Sequence, residues 1–150
     1  IPFLGRDVSI RLRQGARTTV DLRGDELLIG VAGEVFPGMI AAIVDSWYLH
    51  EAKKFFTART SELAGIHSDK LPQPRSVGVR RMKRRWGSCS TTGSITFNRE
   101  LMKKDPALAD YVIIHELCHL VHHNHGKEYY MLLESIIPDY RALKSRLSGA

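Results

Sequence analysis

Only two cysteines, Cys89 and Cys118, occur in 150 residues, and that scarcity argues against a disulfide-stapled scaffold. A domain of this length buries most of its apolar surface without cross-links. No apolar run approaches the roughly 18 residues that a membrane-spanning helix requires. Internal repeats, low-complexity tracts and long linkers are also missing, which leaves one domain over residues 1–150 as the expected organisation. The opening stretch IPFLGRDVSIRLRQG lacks the basic start and apolar core of a signal peptide. Together these absences lead to the expectation of a cytoplasmic protein with reduced thiols and no membrane partner. Its oligomeric state is not legible.

Acidic residues are the scarcer charge, 16 Asp and Glu against 22 Lys and Arg, for a formal net charge of +6. Five of the cations, Arg80, Arg81, Lys83, Arg84 and Arg85, crowd into RRMKRR. Such a run can attract phosphate backbones or acidic partners, or it can be an ordinary solvated face. The remaining composition, 43% hydrophobic and 25% charged, is that of a globular protein.

Residues 1–35 read as a β-hairpin region. Val8, Ile10 and Leu12 alternate with polar residues, Gly15 breaks the run, and Thr18, Val20 and Leu22 alternate again, which predicts two paired strands with one buried face. Arg23-Gly24-Asp25-Glu26 then supplies a turn into Leu27 to Ala32; the Arg-Gly-Asp tripeptide is read as that turn rather than as an adhesion motif. From Pro37, the spacing of Met39, Ile40, Ile43, Val44 and Trp47 predicts a long helix that Phe55, Phe56 and Leu63 carry to Gly65. Val77 to Lys83 reads as extended, and Ser94 to Asn98 as a second short strand whose edge could receive an extended peptide. Asp105 followed by Pro106 marks a helix start, with the helix running to about Asn124. Two further helices are expected over Glu128 to Ile137 and Asp139 to Leu147. The fold class is therefore α+β, with a small mixed β-sheet and a long helix ahead of a helix that carries the chemistry.

Five of the seven histidines fall between His115 and His125. On a helix, His115 and His119 stand about 40° apart and about 6 Å along the axis, so their rings can converge on one ion. His122 lies near the same row, but three ligands in a straight line about 10 Å long do not approach tetrahedral angles. The third ligand is then expected beyond the helix end. His125 is favoured because Asn124 and Gly126 permit a reversal there; Glu128 is its main rival and Glu134 a distant one. His122 and His123 read as solvated residues near a helix C-terminus.

Glu116 lies between the paired rings in HELCH, the H-E-x-x-H pattern of two metal-holding histidines and a glutamate base. One zinc ion on three neutral imidazoles would activate water and polarise a carbonyl, with Glu116 as the proton carrier. The chemistry expected is peptide-bond hydrolysis. An oxyanion donor would come from Tyr129, Tyr130 or an arginine of the basic run.

These segments resemble the YgjP-like metal-dependent hydrolases, relatives of the SprT-like zinc metallopeptidases. The likeness runs from about Val79 to Tyr140 within a core of residues 75–147. It rests on WGSCSTTGSITFN (Trp86 to Asn98), DYVIIHELCHL (Asp110 to Leu120), NHGKEYY (Asn124 to Tyr130) and PDY (Pro138 to Tyr140). It implies a compact zincin-like fold, with His115, His119 and His125 as zinc ligands and Glu116 as catalytic base. Tyr129 and Tyr130 stand where the family pattern has Phe-Trp.

Trp86, Asn98 and Tyr129 are candidate substrate contacts, although Trp86 also reads as a core anchor beside Gly87 and Asn98 as a helix cap. Cys89 is a conceivable extra ligand and Cys118 a core residue. The substrate expected is a protein or peptide. SprT-like relatives include proteases that act on proteins attached to DNA, which would give the basic run a role in nucleic-acid binding. Two alternatives remain: a nucleic-acid-binding module with a structural metal, and a nucleotide pyrophosphatase of the UTP type. The pyrophosphatase ranks lower than the peptidase, because magnesium favours oxygen ligands over imidazoles.

Overall fold

The structure, a computed structural model, describes residues 1–149. Strands β1 (Pro2–Phe3) and β2 (Arg6–Asp7) form a minimal antiparallel ladder. Strands β3 (Ser9–Gln14), β4 (Thr19–Arg23) and β5 (Glu26–Val31) make one mixed sheet, and β6 (Ser76–Arg80), β7 (Gly87–Cys89) and β8 (Ser94–Asn98) a second. Four helices, α1 (Met39–Ile66), α2 (Pro106–His119), α3 (Lys127–Ile136) and α4 (Tyr140–Gly149), complete a mixed α+β architecture.

The first sheet corrects the expected hairpin. β3 and β4 do not pair with each other; β3 runs parallel to β5 and β4 antiparallel to it, in the order β3-β5-β4. The reason lies in composition. Leu27, Ile29 and Val31 of β5 are buried, so that strand takes the centre, while Arg11, Arg13, Asp21 and Arg23 are tolerated on the edges. The true hairpin joins β4 to β5 through Gly24 and Asp25. Gly24 has φ 59° and Asp25 does not adopt positive φ, the signature of a type II′ turn. The alternation in β3 also misleads about burial: Val8 just ahead of it is enclosed, but Ile10 and Leu12 remain 38% and 48% exposed.

The second sheet lies against α1 and α2. Its strand order is β6-β8-β7, with β8 parallel to β6 and antiparallel to β7. Phe97 of β8 stacks on Phe56 of α1 with ring centroids 4.5 Å apart, and both are fully buried. β8 is central, so it offers no free edge to a peptide. That edge belongs to β7. The basic run also leaves the sheet early, since β6 ends at Arg80 and Arg81 to Arg85 form a loop.

α2 starts as its sequence indicates. The Asp105 side chain accepts a hydrogen bond from the Ala107 amide at 2.9 Å, with Pro106 in the first turn. Arg59 of α1 grips Asp110 through two charge-assisted hydrogen bonds, 2.8 and 2.7 Å long, which fixes α2 against α1. α2 ends at His119, not near Asn124. Amides of Leu120, Val121 and His122 turn back onto carbonyls of Leu117 and Cys118, which tightens the last turn and diverts the chain. The β-branched Val121 and the two histidines after it are weak helix formers and do not oppose that exit.

A substitution pair tests which apolar strand face is enclosed. Leu27→Ala should cost roughly 2–5 kcal/mol of unfolding free energy in urea titration. Leu12→Ser should change it by less than about 0.5 kcal/mol. A large loss from Leu12→Ser would contradict the open β3 face.

Candidate active site

The early end of α2 is what assembles the site. His115 and His119 project from successive turns, and the chain leaving the helix reverses to bring His125 back across them. One ring nitrogen from each of the three lies within 4.8 Å of the others. The ring centroids of His115 and His119 are 5.2 Å apart, those of His119 and His125 4.5 Å, and those of His115 and His125 5.4 Å. His125 is exposed and His119 buried, so the cluster opens to solvent on one side. Among the described residues the group includes no carboxylate. Glu128 instead faces His122, its Oε2 3.6 Å from Nδ1, and Glu134 is exposed on α3.

Neighbouring groups set which nitrogen of each ring is available. His119 Nδ1 lies 3.1 Å from the His122 carbonyl oxygen, which can only accept; Nδ1 therefore carries the proton and Nε2 presents a lone pair. That Nε2 is 2.8 Å from Nε2 of His125. A proton on His125 Nε2 accounts for that distance, and with that proton released the three ring nitrogens are a donor set of the kind that imidazole-binding divalent metals take. The Tyr111 hydroxyl lies 3.5 Å from His115 Nδ1 and leaves the other nitrogen for the cluster. Burial, reinforced by the charges of His119, His125 and Lys144, holds His115 down at about 3, so its ring is neutral near pH 7. Burial lowers His119 as well.

Tyr129 forms the floor under the rings. It is fully buried, with its ring centroid 5.5 Å from His115, 4.5 Å from His119 and 4.9 Å from His125. Its hydroxyl donates to the His115 carbonyl at 2.9 Å, tying α3 to α2. Its hydroxyl is thus committed beneath the site, and none of the Tyr129 side chain is exposed. Tyr130 stacks on Tyr140 at 5.9 Å and borders the His125 ring at 6.1 Å.

Glu116, one residue past His115, faces β7. A Cβ on Gly87 would come within 3.0 Å of Glu116 Cγ, 3.1 Å of its Oε2 and 3.2 Å of a Val112 methyl. Glycine is needed here for close approach of strand to helix. Glu116 is 5% exposed, and burial raises its carboxyl to about 7 while Arg85 pulls it down. A cation among the three rings would lower it further. Glu116 and His115 line two cavities. One, about 400 Å³, also includes Arg85, Ser88, Cys89, His119 and His125. The other, about 220 Å³, includes Trp86, Tyr111, Val112 and Lys144.

The remaining candidates are dispersed. Trp86 does border the smaller cavity, with the Lys104 ammonium 5.3 Å from its ring centroid. Asn98 does not reach the cleft. Its amide donates to the carbonyls of Met82 and Arg85 at 2.9 and 2.8 Å, and its oxygen accepts from the Glu100 amide at 3.1 Å. It staples the basic loop and caps the short 3-10 helix Arg99–Lys103. Arg81 is engaged with Asp45 and Glu100, at 3.9 and 3.5 Å, while Arg80, Lys83, Arg84 and Arg85 are exposed. Cys89 faces the larger cavity as a free thiol, and Cys118 is fully buried, its thiol pushed up to about 12. Sequence reasoning missed Tyr111, whose position four residues before His115 was the available signal, and Lys144, for which there was none.

A protein-family model described as YgjP-like, metallopeptidase domain, matches residues 1–150 of the chain. No curated protein matches it.

Metal-binding measurements on single variants separate ring from backbone roles. His125→Ala should weaken divalent-metal affinity by more than the roughly 10–100-fold typical of outer-shell changes. His122→Ala, which keeps the carbonyl, should stay within a few-fold of the parent. Equal losses for the two variants would refute this assignment.

Proposed function

The chain belongs to the YgjP-like metallopeptidase family, and from that premise and the three-ring cluster we propose that it is a zinc-dependent peptidase of zincin-like fold. The observation that carries the reading is the convergence of three imidazole nitrogens within 4.8 Å beside a buried glutamate. His115, His119 and His125 would hold the ion. Zinc there supplies Lewis acidity, lowering the pKa of a water in reach and polarising the substrate carbonyl.

The protein's own groups do the rest. Glu116 takes a proton from the attacking water and returns it to the departing amine nitrogen. Its burial makes it a stronger base than an exposed carboxylate, and Gly87 leaves room for its side chain. The β7 edge orients the peptide. In the ladder with β8, Trp86 and Ser90 bond toward β8, so by alternation the amides and carbonyls of Gly87 and Cys89 point outward. An extended peptide can pair there as an added strand. Arg85, at the rim of the larger cavity, is the available donor for negative charge developing on the carbonyl oxygen.

A second reading, nucleic-acid binding near the cleft, draws on the exposed Arg80, Lys83, Arg84 and Arg85. Such binding should weaken steeply with salt and with neutralisation of Lys83 and Arg84. Affinity indifferent to both would eliminate it.

Peptide hydrolysis by the zinc-loaded protein should stop on chelation and resume with added zinc. Glu116→Gln should lower kcat by about 10²–10⁴-fold with zinc content unchanged. Gly87→Ala, which displaces that carboxylate, should cost on the order of tenfold to a hundredfold. A fully active Glu116→Gln protein would sink the mechanism.

A further inference from the structure

We propose that Lys144, on α4, is a specificity-determining residue that receives an acidic side chain, glutamate or aspartate, of the peptide held in the cleft. The proposal rests on the peptidase reading and names the substrate class for it. The smaller cavity beside His115 and Glu116, about 220 Å³, has walls of Trp86, Tyr111, Val112 and Leu147. That volume lies below the roughly 300–1,000 Å³ of small-molecule sites. It suits one side chain rather than a nucleotide.

Lys144 lines this cavity and also an adjoining one of about 520 Å³, together with Tyr130, Tyr140 and Arg141. Apart from Glu116, neither cavity has an acidic residue among its lining. Some cations of the fold are paired, Arg59 with Asp110, Arg99 with Asp45, Lys103 with Glu100 and Arg146 with Asp105, whereas Lys144, like Arg80, Lys83, Arg84 and Arg85, forms no ion pair among the described residues. Arg141 lies over the Tyr140 ring, 4.8 Å from its centroid. Lys144 is thus a positive charge at the junction of two cavities in which Glu116 is the one acidic lining residue and is not paired with it.

The chemistry sorts side chains by charge. A substrate lysine or arginine would bring a like charge against Lys144. A neutral side chain would fill the walls and leave the ammonium to water. A glutamate or aspartate places its stem against Trp86, Val112 and Leu147 and its carboxylate on the ammonium. Arg85, lining the cavity on the other side of Glu116, leaves the cleft electropositive on both sides, in keeping with the net charge of +6.

Two measurements on the zinc-loaded protein test this. The first is cleavage of a mixed peptide library, with the residues flanking each cut identified by mass spectrometry. The second is retention of the same library by Glu116→Gln protein. The parent should enrich Asp or Glu at one position beside the cut by about fivefold, and the Glu116→Gln protein should retain acidic peptides preferentially. Lys144→Glu, a change on an exposed position, should keep zinc content and helicity but shift both preferences to Lys or Arg, while Lys144→Met should abolish them. Charge-blind cleavage and retention, or acidic preferences that survive Lys144→Glu, overturn the proposal. Peptides cut by the parent without an acidic preference leave the peptidase reading standing and remove this one. Acidic peptides retained through Lys144 but never cut remove the peptidase reading and support this one.

Discussion

A hydroxyl ties α3 to α2 beneath the histidine cluster. Tyr129 donates to the His115 carbonyl from beneath the histidine rings, and its own ring lies against all three. A buried aromatic with its polar end satisfied is a rigid wedge, because rotation would strand the hydroxyl without a partner. The wedge fixes the start of α3 relative to the end of α2, and the reversal between them must then span His122 to Gly126. That span returns His125 to the cluster and leaves the His122 carbonyl on His119 Nδ1. Ring positions and tautomer therefore follow from one packing constraint.

The strand side of the cleft has its own constraint, set by size. β7 approaches α2 so closely at Gly87 that a Cβ there would press on the Glu116 side chain and on Val112. The approach buries the carboxylate and raises its proton affinity. The cost of that burial is limited, because the same carboxylate borders two cavities and stays within reach of water. Arg85 and Lys144 add positive charge on either side. The proposed peptidase chemistry and the proposed acidic preference both draw on this field, one at the carbonyl oxygen and the other at a neighbouring side chain.

Legibility varied with the range of the interaction involved. The Asp105–Pro106 start of α2, the long periodic run of α1 and the Ser94–Asn98 strand were all readable, since each depends on residues within a few positions of one another. The hairpin expected from Val8 to Leu22 failed because β3 and β4 both carry the alternation of a half-buried strand, and neither competes with the apolar β5 for the centre. The expected helix to Asn124 failed because Leu120 to His123 include no Gly or Pro to mark a stop before Asn124, whereas the Tyr129 contact goes with an earlier exit. Asn98 was readable as a helix cap from its place before Arg99 and Glu100, whereas the bracing position of Tyr129 beneath the rings depends on the packing of α3 on α2.

The amino-acid sequence by itself determined the spacing that puts His115 and His119 on one helix face, the Glu116 between them, and the flexible Asn124–Gly126 neighbourhood of the third ring. Those are matters of helical pitch and backbone freedom, local by nature. Only the tertiary structure decided that β7 rather than β8 borders the cleft, that Gly87 makes room for Glu116, and that Lys144 reaches it from α4. Each of these depends on segments distant in sequence coming into contact, and the energy of such contacts resides in shape and burial rather than in any periodicity along the chain.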